Sequence, residues 1–329
     1  MKSIFHTLAL AVAIALMASS YAFAQELINP IPIGEEGKLT VEEMKSGAMP
    51  HWMPHYGNGV AEYKDYDFVV VAYSTDEENV TALLPEGLNS IDIPFLPGQA
   101  PVNLVFAKYR EVDILGPYLE VVVTLPVVID GLPYLYVPAI YVDNDEAMTA
   151  GREYGGYPKK FADIELDTYG EWFLGKMARP SRSLKTSDPT FSDVVSVSVR
   201  KGGRLLSIPL PAEKIDPLPF PYGDLLPLPK ATGKPQLLTL ATIGLRSLPG
   251  VGEEPWGNAD VLQLIASPWV TTDGEVYEGL EPTLDFQPRN EDPIAQALPV
   301  NGVLAAYIIR GTMHTDPSKW FLIKDYLKK

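Results

Sequence analysis

The sequence of 329 residues contains no cysteine. This absence excludes disulfide bonds, iron–sulfur clusters, thiolate zinc sites and cysteine nucleophiles. Basic residues are also scarce, since 26 Lys and Arg stand against 42 Asp and Glu, which gives a formal net charge of −16. Proteins that bind nucleic acid or anionic membranes through charge use clustered Lys and Arg. The sequence therefore predicts neither kind of partner.

Proline, in contrast, is abundant, with 31 residues in the chain. Proline interrupts helices and the interior strands of sheets, so this composition favours a β-rich fold with many short loops. Eight of the prolines fall between residues 209 and 235. That stretch can be neither a regular helix nor a central strand, and we expect it to form a proline-rich loop.

The N-terminus has the pattern of a secretory signal peptide. Lys2 provides a positive charge, residues 8–17 form an apolar run, and Ala22-Phe23-Ala24 matches a cleavage site. The apolar run is too short to span a bilayer as a helix. The sequence thus predicts a signal peptide over 1–24, an N-terminal extension over 25–60 and one domain over 61–329. We expect an exported protein, either periplasmic or secreted, that is not bound to a membrane after cleavage.

Most of the domain reads as strands. Segments rich in Val, Ile, Tyr and Phe predict a set of short strands, and Lys201-Gly202-Gly203 predicts a hairpin turn between two of them. Short helices are expected at 75–84, 145–153 and 316–327, from capping residues and from Pro317. We expect a mainly β (α+β) fold, with an antiparallel sheet closed into a barrel or sandwich. The predicted strands cover 68–73, 102–109, 119–124, 134–142, 161–169, 194–200, 204–208, 237–243, 261–266 and 303–310.

One region carries the densest chemical signal, and it ends in Tyr157-Pro158-Lys159-Lys160. The residue before a proline is extended, and neighbouring side chains of an extended segment point to opposite sides. One lysine can therefore enter an apolar interior while the other faces outward, although a solvated surface pair is the plain alternative. Amine catalysis needs an uncharged lysine. Burial in apolar surroundings disfavours the ammonium form, and we rank this effect above repulsion between the two lysines.

This region resembles the acetoacetate decarboxylase family. The likeness rests on Tyr141-Val142-Asp143-Asn144, Gly151-Arg152-Glu153 and Tyr157-Pro158-Lys159-Lys160, with the family's spacing and no gaps. The resemblance implies a barrel or cone of β-strands and a Schiff-base role for Lys159, with Lys160 as the second lysine of the catalytic pair. It also implies an active-site role for Glu120, within Tyr118-Leu119-Glu120, and places Tyr157 in the substrate pocket.

Two positions depart from the family pattern. Tyr66 stands where the family has an arginine that handles the substrate carboxylate, with Lys64 nearby, and Val105 stands where the family has a second acid. Arg110 and Arg152 are the basic residues that could compensate. The predicted substrate-binding residues are therefore Tyr157, Arg152, Tyr66 and Arg110.

The resemblance implies a carbon–carbon lyase that decarboxylates a β-keto acid such as acetoacetate through a lysine imine. Two alternatives stay open: aldolase-dehydratase chemistry on keto acids with the same lysine, and a non-catalytic carrier of a small ligand. Because the lysine itself is the electron sink, we expect no metal and no other cofactor. The expected partners are a small keto acid or carbonyl compound and further copies of the chain in a homo-oligomer.

Overall fold

The computed structural model describes residues 60–91, 93, 95–180, 191–208, 238–250 and 259–328. The predicted signal peptide, the extension up to residue 59 and the proline-rich loop lie outside the described residues. Within those ranges no helix combines the length and the hydrophobicity needed to cross a membrane.

The described residues form a mainly β structure with short helices, which confirms the predicted fold class. The helices are α1 (Glu77–Thr81), α2 (Asp145–Glu153) and α3 (Ile294–Ala297), together with a 3₁₀ turn at Pro317–Lys319. The strands within the described ranges are β1 (Ala61–Asp76), β2 (Asn89–Ser90), β3 (Gln99–Val112), β4 (Tyr118–Ile129), β5 (Leu132–Val142), β6 (Lys159–Phe161), β7 (Asp163–Tyr169), β8 (Trp172–Pro180), β9 (Phe191–Ile208), β10 (Leu238–Pro249), β11 (Ala259–Phe286), β12 (Gly302–Thr315) and β13 (Phe321–Asp325).

Strand pairing produces a closed circuit. The hydrogen-bonded order β10, β5, β4, β3, β1, β12, β11 returns to its start because β11 also pairs with β10. Neighbours in the circuit are antiparallel except β5 and β10, which pair in parallel. This closure is what the predicted barrel requires. Strands β9, β8 and β7 continue from β11 as a second arm of the same sheet.

The two faces of β1, β3 and β4 have different surroundings. One face packs against β7, β8 and β9 and forms the largest hydrophobic core cluster. Each fully buried apolar side chain there contributes about 1.5–3 kcal/mol relative to an exposed one. Alternate residues face the inside of the circuit, because side chains point in opposite directions along a strand. Representative core residues are Val69, Val71, Leu104, Phe106, Val121, Val123, Phe173 and Met177.

Helix α2 begins and ends where the sequence predicted. The side chain of Asn144 caps it by accepting a hydrogen bond of 2.8 Å from the backbone N–H of Ala147. Helix α1 is shorter than predicted. Most strands are longer than predicted, since pairing with neighbours extends them beyond their apolar centres.

The predicted hairpin at Lys201-Gly202-Gly203 is wrong, because β9 runs without a turn from Phe191 to Ile208. Its pairing with β11 shifts register in this region. A Cβ atom on Gly202 would lie 2.9 Å from Cγ of Leu280, so glycine permits the close approach of the two strands. Gly202 therefore serves this approach and not a turn.

The predicted C-terminal helix over 316–327 is also wrong. Pro317 begins only the 3₁₀ turn, and the backbone is extended at Trp320. The residues that follow pair with β11 as β13, with Phe321 opposite Ala266 and Asp325 opposite Gln263. The side of β11 that does not face β10 offered backbone hydrogen bonds over residues 263–266, and these outweighed the local helical pattern.

Candidate active site

A cavity of about 320 Å³ lies inside the strand circuit. All seven strands of the circuit contribute to its wall, as do α2 and the start of β6. Most of the lining side chains are aliphatic or aromatic. Among the described residues, Glu120 and Lys159 are the charged side chains that line it.

The register of β12, β1, β3 and β4 arranges the cavity wall in rows. We name three of them by their most distinctive residues. The tyrosine row contains Tyr66, Tyr109 and Tyr118, the glutamate row contains Ile309, Phe68, Ala107 and Glu120, and the valine row contains Tyr307, Val70, Val105 and Val122.

Lys159 reaches the glutamate row from β6. Its Nζ lies 2.6 Å from Oε2 of Glu120, and each of the two side chains is 8% exposed. The same Nζ stands 5.8 Å from the ring centre of Tyr118. The extended backbone predicted at Tyr157-Pro158 leads into β6, which pairs in parallel with β5. A buried amine at a cavity wall, in contact with a single carboxylate, can exchange a proton with that carboxylate.

Lys160 points to the opposite side, as the predicted extended backbone requires. It forms an ion pair with Asp292, whose side chain is 1% exposed. Asp292 also contacts Arg179 at 3.2 Å and accepts a hydrogen bond from Tyr141. Lys160 does not line the cavity. The predicted catalytic pair is therefore divided by the sheet, and the partly exposed Lys160 pairs with a buried carboxylate.

Glu120 has a second partner. Its Oε1 accepts a hydrogen bond of 3.4 Å from the hydroxyl of Tyr109. Burial raises the pKa of Tyr109 and Tyr118 well above the ordinary value for tyrosine, and it also raises the pKa of Tyr63. These three side chains are therefore neutral phenols at physiological pH, and each can donate one hydrogen bond.

Of the four predicted substrate-binding residues, Tyr66 and Tyr157 line the cavity. The hydroxyl of Tyr66 lies 3.4 Å from Oγ1 of Thr271, and that of Tyr157 lies 2.6 Å from Oγ1 of Thr242. Burial raises the pKa of both tyrosines. Val105, the other departure from the family pattern, also lines the cavity.

The other two predicted substrate-binding residues, Arg110 and Arg152, lie outside the cavity lining. Arg110 pairs with Asp65 and Asp67 on β1, outside the cavity lining. Arg152 is exposed, and its Nη1 donates a hydrogen bond of 3.3 Å to the carbonyl oxygen of Lys159. Arg152 thus holds the backbone of the lysine and does not face the cavity.

Several cavity residues had no signal in the sequence. Thr242 and Trp269 come from β10 and β11, and the indole N–H of Trp269 donates to Oγ1 of Thr242 at 3.0 Å. Tyr109 lies in a predicted strand, but nothing in that strand marked it as a partner of Glu120. Only the order of strands in the sheet brings these residues to the cavity.

No group of three or more His, Asp or Glu side chains that could hold a metal ion occurs within the described ranges. The cavity instead carries one amine, one carboxylate and several neutral hydroxyl donors. This set of groups suits proton transfer and attack on a carbonyl carbon.

The sequence of this chain is similar to those of known acetoacetate decarboxylases. The acetoacetate decarboxylase family model matches residues 48–206. The acetoacetate decarboxylase of Ralstonia nicotianae is 31% identical over 130 residues, which cover 40% of this chain and 50% of that protein. The chain thus matches about half the length of its curated relatives.

Solved structures share the fold. The acetoacetate decarboxylase of Legionella pneumophila is similar with a TM-score of 0.63 and 20% identity, over 90% of this chain and all of that one. The enduracididine biosynthesis enzyme MppR, in complex with the condensation product of pyruvate and imidazole 4-carboxaldehyde, is similar with a TM-score of 0.55 and 17% identity, over 82% of this chain and 90% of that one. The chain is thus similar in sequence to the acetoacetate decarboxylase family over residues 48–206, and it shares the fold of solved acetoacetate decarboxylases.

Proposed function

We propose that this protein is a Schiff-base lyase that decarboxylates a β-keto acid through an imine on Lys159. The observation that carries the proposal is the contact of 2.6 Å between Nζ of Lys159 and Oε2 of Glu120 at the wall of an apolar cavity. The curated relatives named acetoacetate decarboxylase support the reaction type.

The first step is a proton transfer within the pair. A lysine ammonium cannot attack a carbonyl, so the amine must lose its proton. Glu120 is in direct contact and accepts that proton, which leaves both groups neutral in a cavity that disfavours separated charges. Tyr109 keeps a hydrogen bond to the second oxygen of Glu120 and helps to orient the carboxyl group.

Imine formation and loss of CO2 follow from the neutral amine. Nζ attacks the ketone carbon, protonated Glu120 gives its proton to the departing hydroxyl, and water leaves. The carbon–carbon bond to the carboxylate then breaks and CO2 departs. The electron pair of that bond moves toward the iminium and converts it to an enamine. A water molecule gives a proton to the terminal carbon, and the hydroxide that remains adds to the iminium carbon. The resulting carbinolamine then releases a ketone and free Lys159.

The lining of the cavity favours loss of the carboxylate over its retention. No arginine lines the cavity within the described ranges, and Lys159 provides the lining's cationic side chain there. A carboxylate held in such surroundings has fewer hydrogen-bond donors around it than it has in water. Its charge disperses as CO2 leaves, so an apolar site lowers the barrier for that step.

A second candidate is aldol condensation and dehydration through the same lysine. The fold likeness to MppR, whose complex contains a condensation product of pyruvate, supports it. That chemistry keeps the carboxylate of its keto acid. A lining without arginine therefore lowers the barrier for condensation less than it lowers the barrier for decarboxylation.

Reductive trapping tests the imine. The purified protein is incubated with acetoacetate and sodium borohydride, and the adduct is located by mass spectrometry. We expect a mass increase on Lys159 that is absent in Lys159→Met and retained in Lys176→Met, whose lysine is 49% exposed. An unmodified Lys159 would rule out the imine and favour a ligand carrier. Release of CO2 from acetoacetate then separates decarboxylation from condensation.

We also propose that the protein is exported and forms homo-oligomers. The N-terminal pattern of residues 1–24 supports export, and the family resemblance supports oligomers. N-terminal sequencing of the protein recovered from its native host tests the first point, with Gln25 as the expected first residue. Light scattering of the purified protein tests the second.

A further inference from the structure

The valine row presents partly exposed apolar surface at the cavity wall beside the amine. Val105 and Val122 pair with each other, and each lies on a strand with neighbours on both sides. Both side chains are nevertheless only partly buried, and both line the cavity. Their exposed surface therefore faces the cavity interior, and an apolar ligand would bury it.

In the opposite direction from Glu120, the cavity wall consists largely of aromatic rings. The ring centres of Tyr109 and Tyr118 are 4.6 Å apart, and those of Tyr63 and Tyr109 are 5.1 Å apart. Tyr63 also contacts Trp269 at 5.2 Å. These packed rings narrow the cavity on that side, where the lining continues to Leu115 and Met313, whereas the valine row presents an aliphatic wall.

A polar pair lies farther along the same wall, beyond the valine row. Asn103 donates a hydrogen bond of 3.1 Å to Oγ1 of Thr124, and both residues line the cavity. Thr124 follows Glu120 by four residues on β4, which corresponds to about 13 Å along a strand. The wall between them consists of the aliphatic side chains of the valine row and of Val137 and Ile140.

The size of the cavity exceeds the need of a small keto acid. Its volume of about 320 Å³ falls in the range of roughly 300–1,000 Å³ that is typical of sites for drug-sized ligands. Acetoacetate carries only a methyl group beyond its ketone. A substrate of that size would leave most of the apolar wall in contact with water.

We propose that the valine row is a subsite for an apolar chain, so that the substrate is a β-keto acid whose ketone carries an alkyl or aryl chain of several carbons. The ketone stands at Lys159 and the chain extends along β3 and β4 toward Asn103 and Thr124. This proposal rests on the proposed function, because the imine at Lys159 fixes where the chain begins.

Binding of unreactive analogues tests the subsite separately from the chemistry. The series 2-pentanol, 2-heptanol and 2-nonanol has no carbonyl group and cannot form an imine. Calorimetric titration of the purified protein should show affinity rising about fourfold for each added methylene group, until the chain reaches the polar pair. A flat series, or no measurable binding of 2-nonanol, would overturn the subsite.

Substitutions within the row locate the chain. Val105→Phe and Val122→Phe place a ring in the space from two neighbouring strands, and each should lower the affinity for 2-nonanol at least tenfold. Val303→Phe is the matched control, because Val303 is 38% exposed and lies outside the cavity lining. Equal loss in all three variants, or in none, contradicts the assignment. The wild-type series remains decisive if a blocking variant does not fold.

The outcomes separate the subsite from the proposed function. Rising affinity in the alcohol series without a borohydride adduct on Lys159 would keep the subsite and remove the imine. An adduct with acetoacetate beside a flat alcohol series would keep the imine and remove the subsite. When both hold, decarboxylation of 3-oxooctanoate should exceed that of acetoacetate in kcat/KM.

Discussion

Gly151 lies directly against the side chain of Lys159. A Cβ atom on Gly151 would stand 2.6 Å from Cδ of the lysine and closer still to its Cε. The glycine belongs to α2, and the lysine belongs to the strand that follows it. The glycine of the Gly-Arg-Glu motif therefore leaves the space that the lysine side chain occupies on its way to Glu120.

Gly151→Ala should displace Lys159 while it leaves the fold intact. Alanine is favoured over glycine inside a helix by up to about 1 kcal/mol, which offsets part of the crowding. We expect the yield of borohydride adduct to fall at least tenfold, with a small change in melting temperature. Gly203→Ala is the control, because a Cβ there meets no atom within 4 Å. A fully trapped Gly151→Ala variant would show that the contact does not position the amine.

The Lys159–Glu120 pair should show strong energetic coupling. Removing one member of a buried ion pair leaves the other without a partner and costs about 3–5 kcal/mol. Lys159→Met and Glu120→Gln should each lower the free energy of unfolding by about this amount. The double variant should lose clearly less than the sum, because neither group is then left alone.

Urea denaturation of the four proteins measures the coupling. Two sites without contact give effects that add to within about 0.5 kcal/mol. Additive losses here would mean that the 2.6 Å contact contributes nothing to stability in solution. Lys64 and Glu111 form a suitable control pair, because both side chains are largely exposed and in contact at 3.2 Å.

Asp292 should stabilise the fold at neutral pH, and this stabilisation should be lost in acid. Burial alone would raise the pKa of Asp292, but hydrogen bonding to Lys160 and the charges of Arg179 and Lys160 lower it. A carboxylate with a lowered pKa contributes stability that is present above the unfolded value of about 3.9 and is lost as pH falls below it. Asp292→Asn should therefore be less stable than the wild type by about 1.5–3 kcal/mol at pH 7, the contribution of a hydrogen bond to a charged group.

The pH dependence provides the check. Urea denaturation at pH 7, 5, 4 and 3 should show the gap between wild type and Asp292→Asn narrowing only below about pH 4. A gap of the same size at all four values would contradict the lowered pKa. The variant should also retain the borohydride adduct on Lys159, because Asp292 lies outside the cavity lining.

The buried tyrosines should make the protein sensitive to alkali. Burial raises the pKa of Tyr63, Tyr109 and Tyr118, so the folded state keeps protons that the unfolded state loses near pH 10. Their contribution is present below about pH 10 and is lost as the pH rises further. Tyr109→Phe should show a shallower loss of stability between pH 9 and 11.

Thermal denaturation across that range measures the slope. Tyr169→Phe is the matched control, since Tyr169 is 63% exposed and should not alter the slope. Identical slopes for wild type and Tyr109→Phe would show that Tyr109 ionises as freely in the folded protein as in the unfolded chain.

The sequence predicted the secondary structure correctly where the local residue pattern favours the same element as the pairing with neighbouring strands. Helix α2 has a capping asparagine, and β1, β3, β4 and β5 have apolar centres rich in branched and aromatic residues. The predictions failed at 201–203 and 316–327 because glycine occurs in strands as well as in turns, and proline can begin a 3₁₀ turn as well as an α-helix. There, pairing with the long strand β11 decided the structure, and no local pattern reports a partner that is distant in sequence.

The sequence by itself determined that the lysine pair would be split, because an extended backbone sends neighbouring side chains to opposite sides. It also marked Lys159, Glu120 and Tyr157 through the family motif. Only the tertiary structure decided that Lys159 meets Glu120, that Lys160 meets Asp292 and that the two candidate arginines lie outside the cavity. These contacts depend on strand order and register, which arise from pairing between segments far apart in the chain.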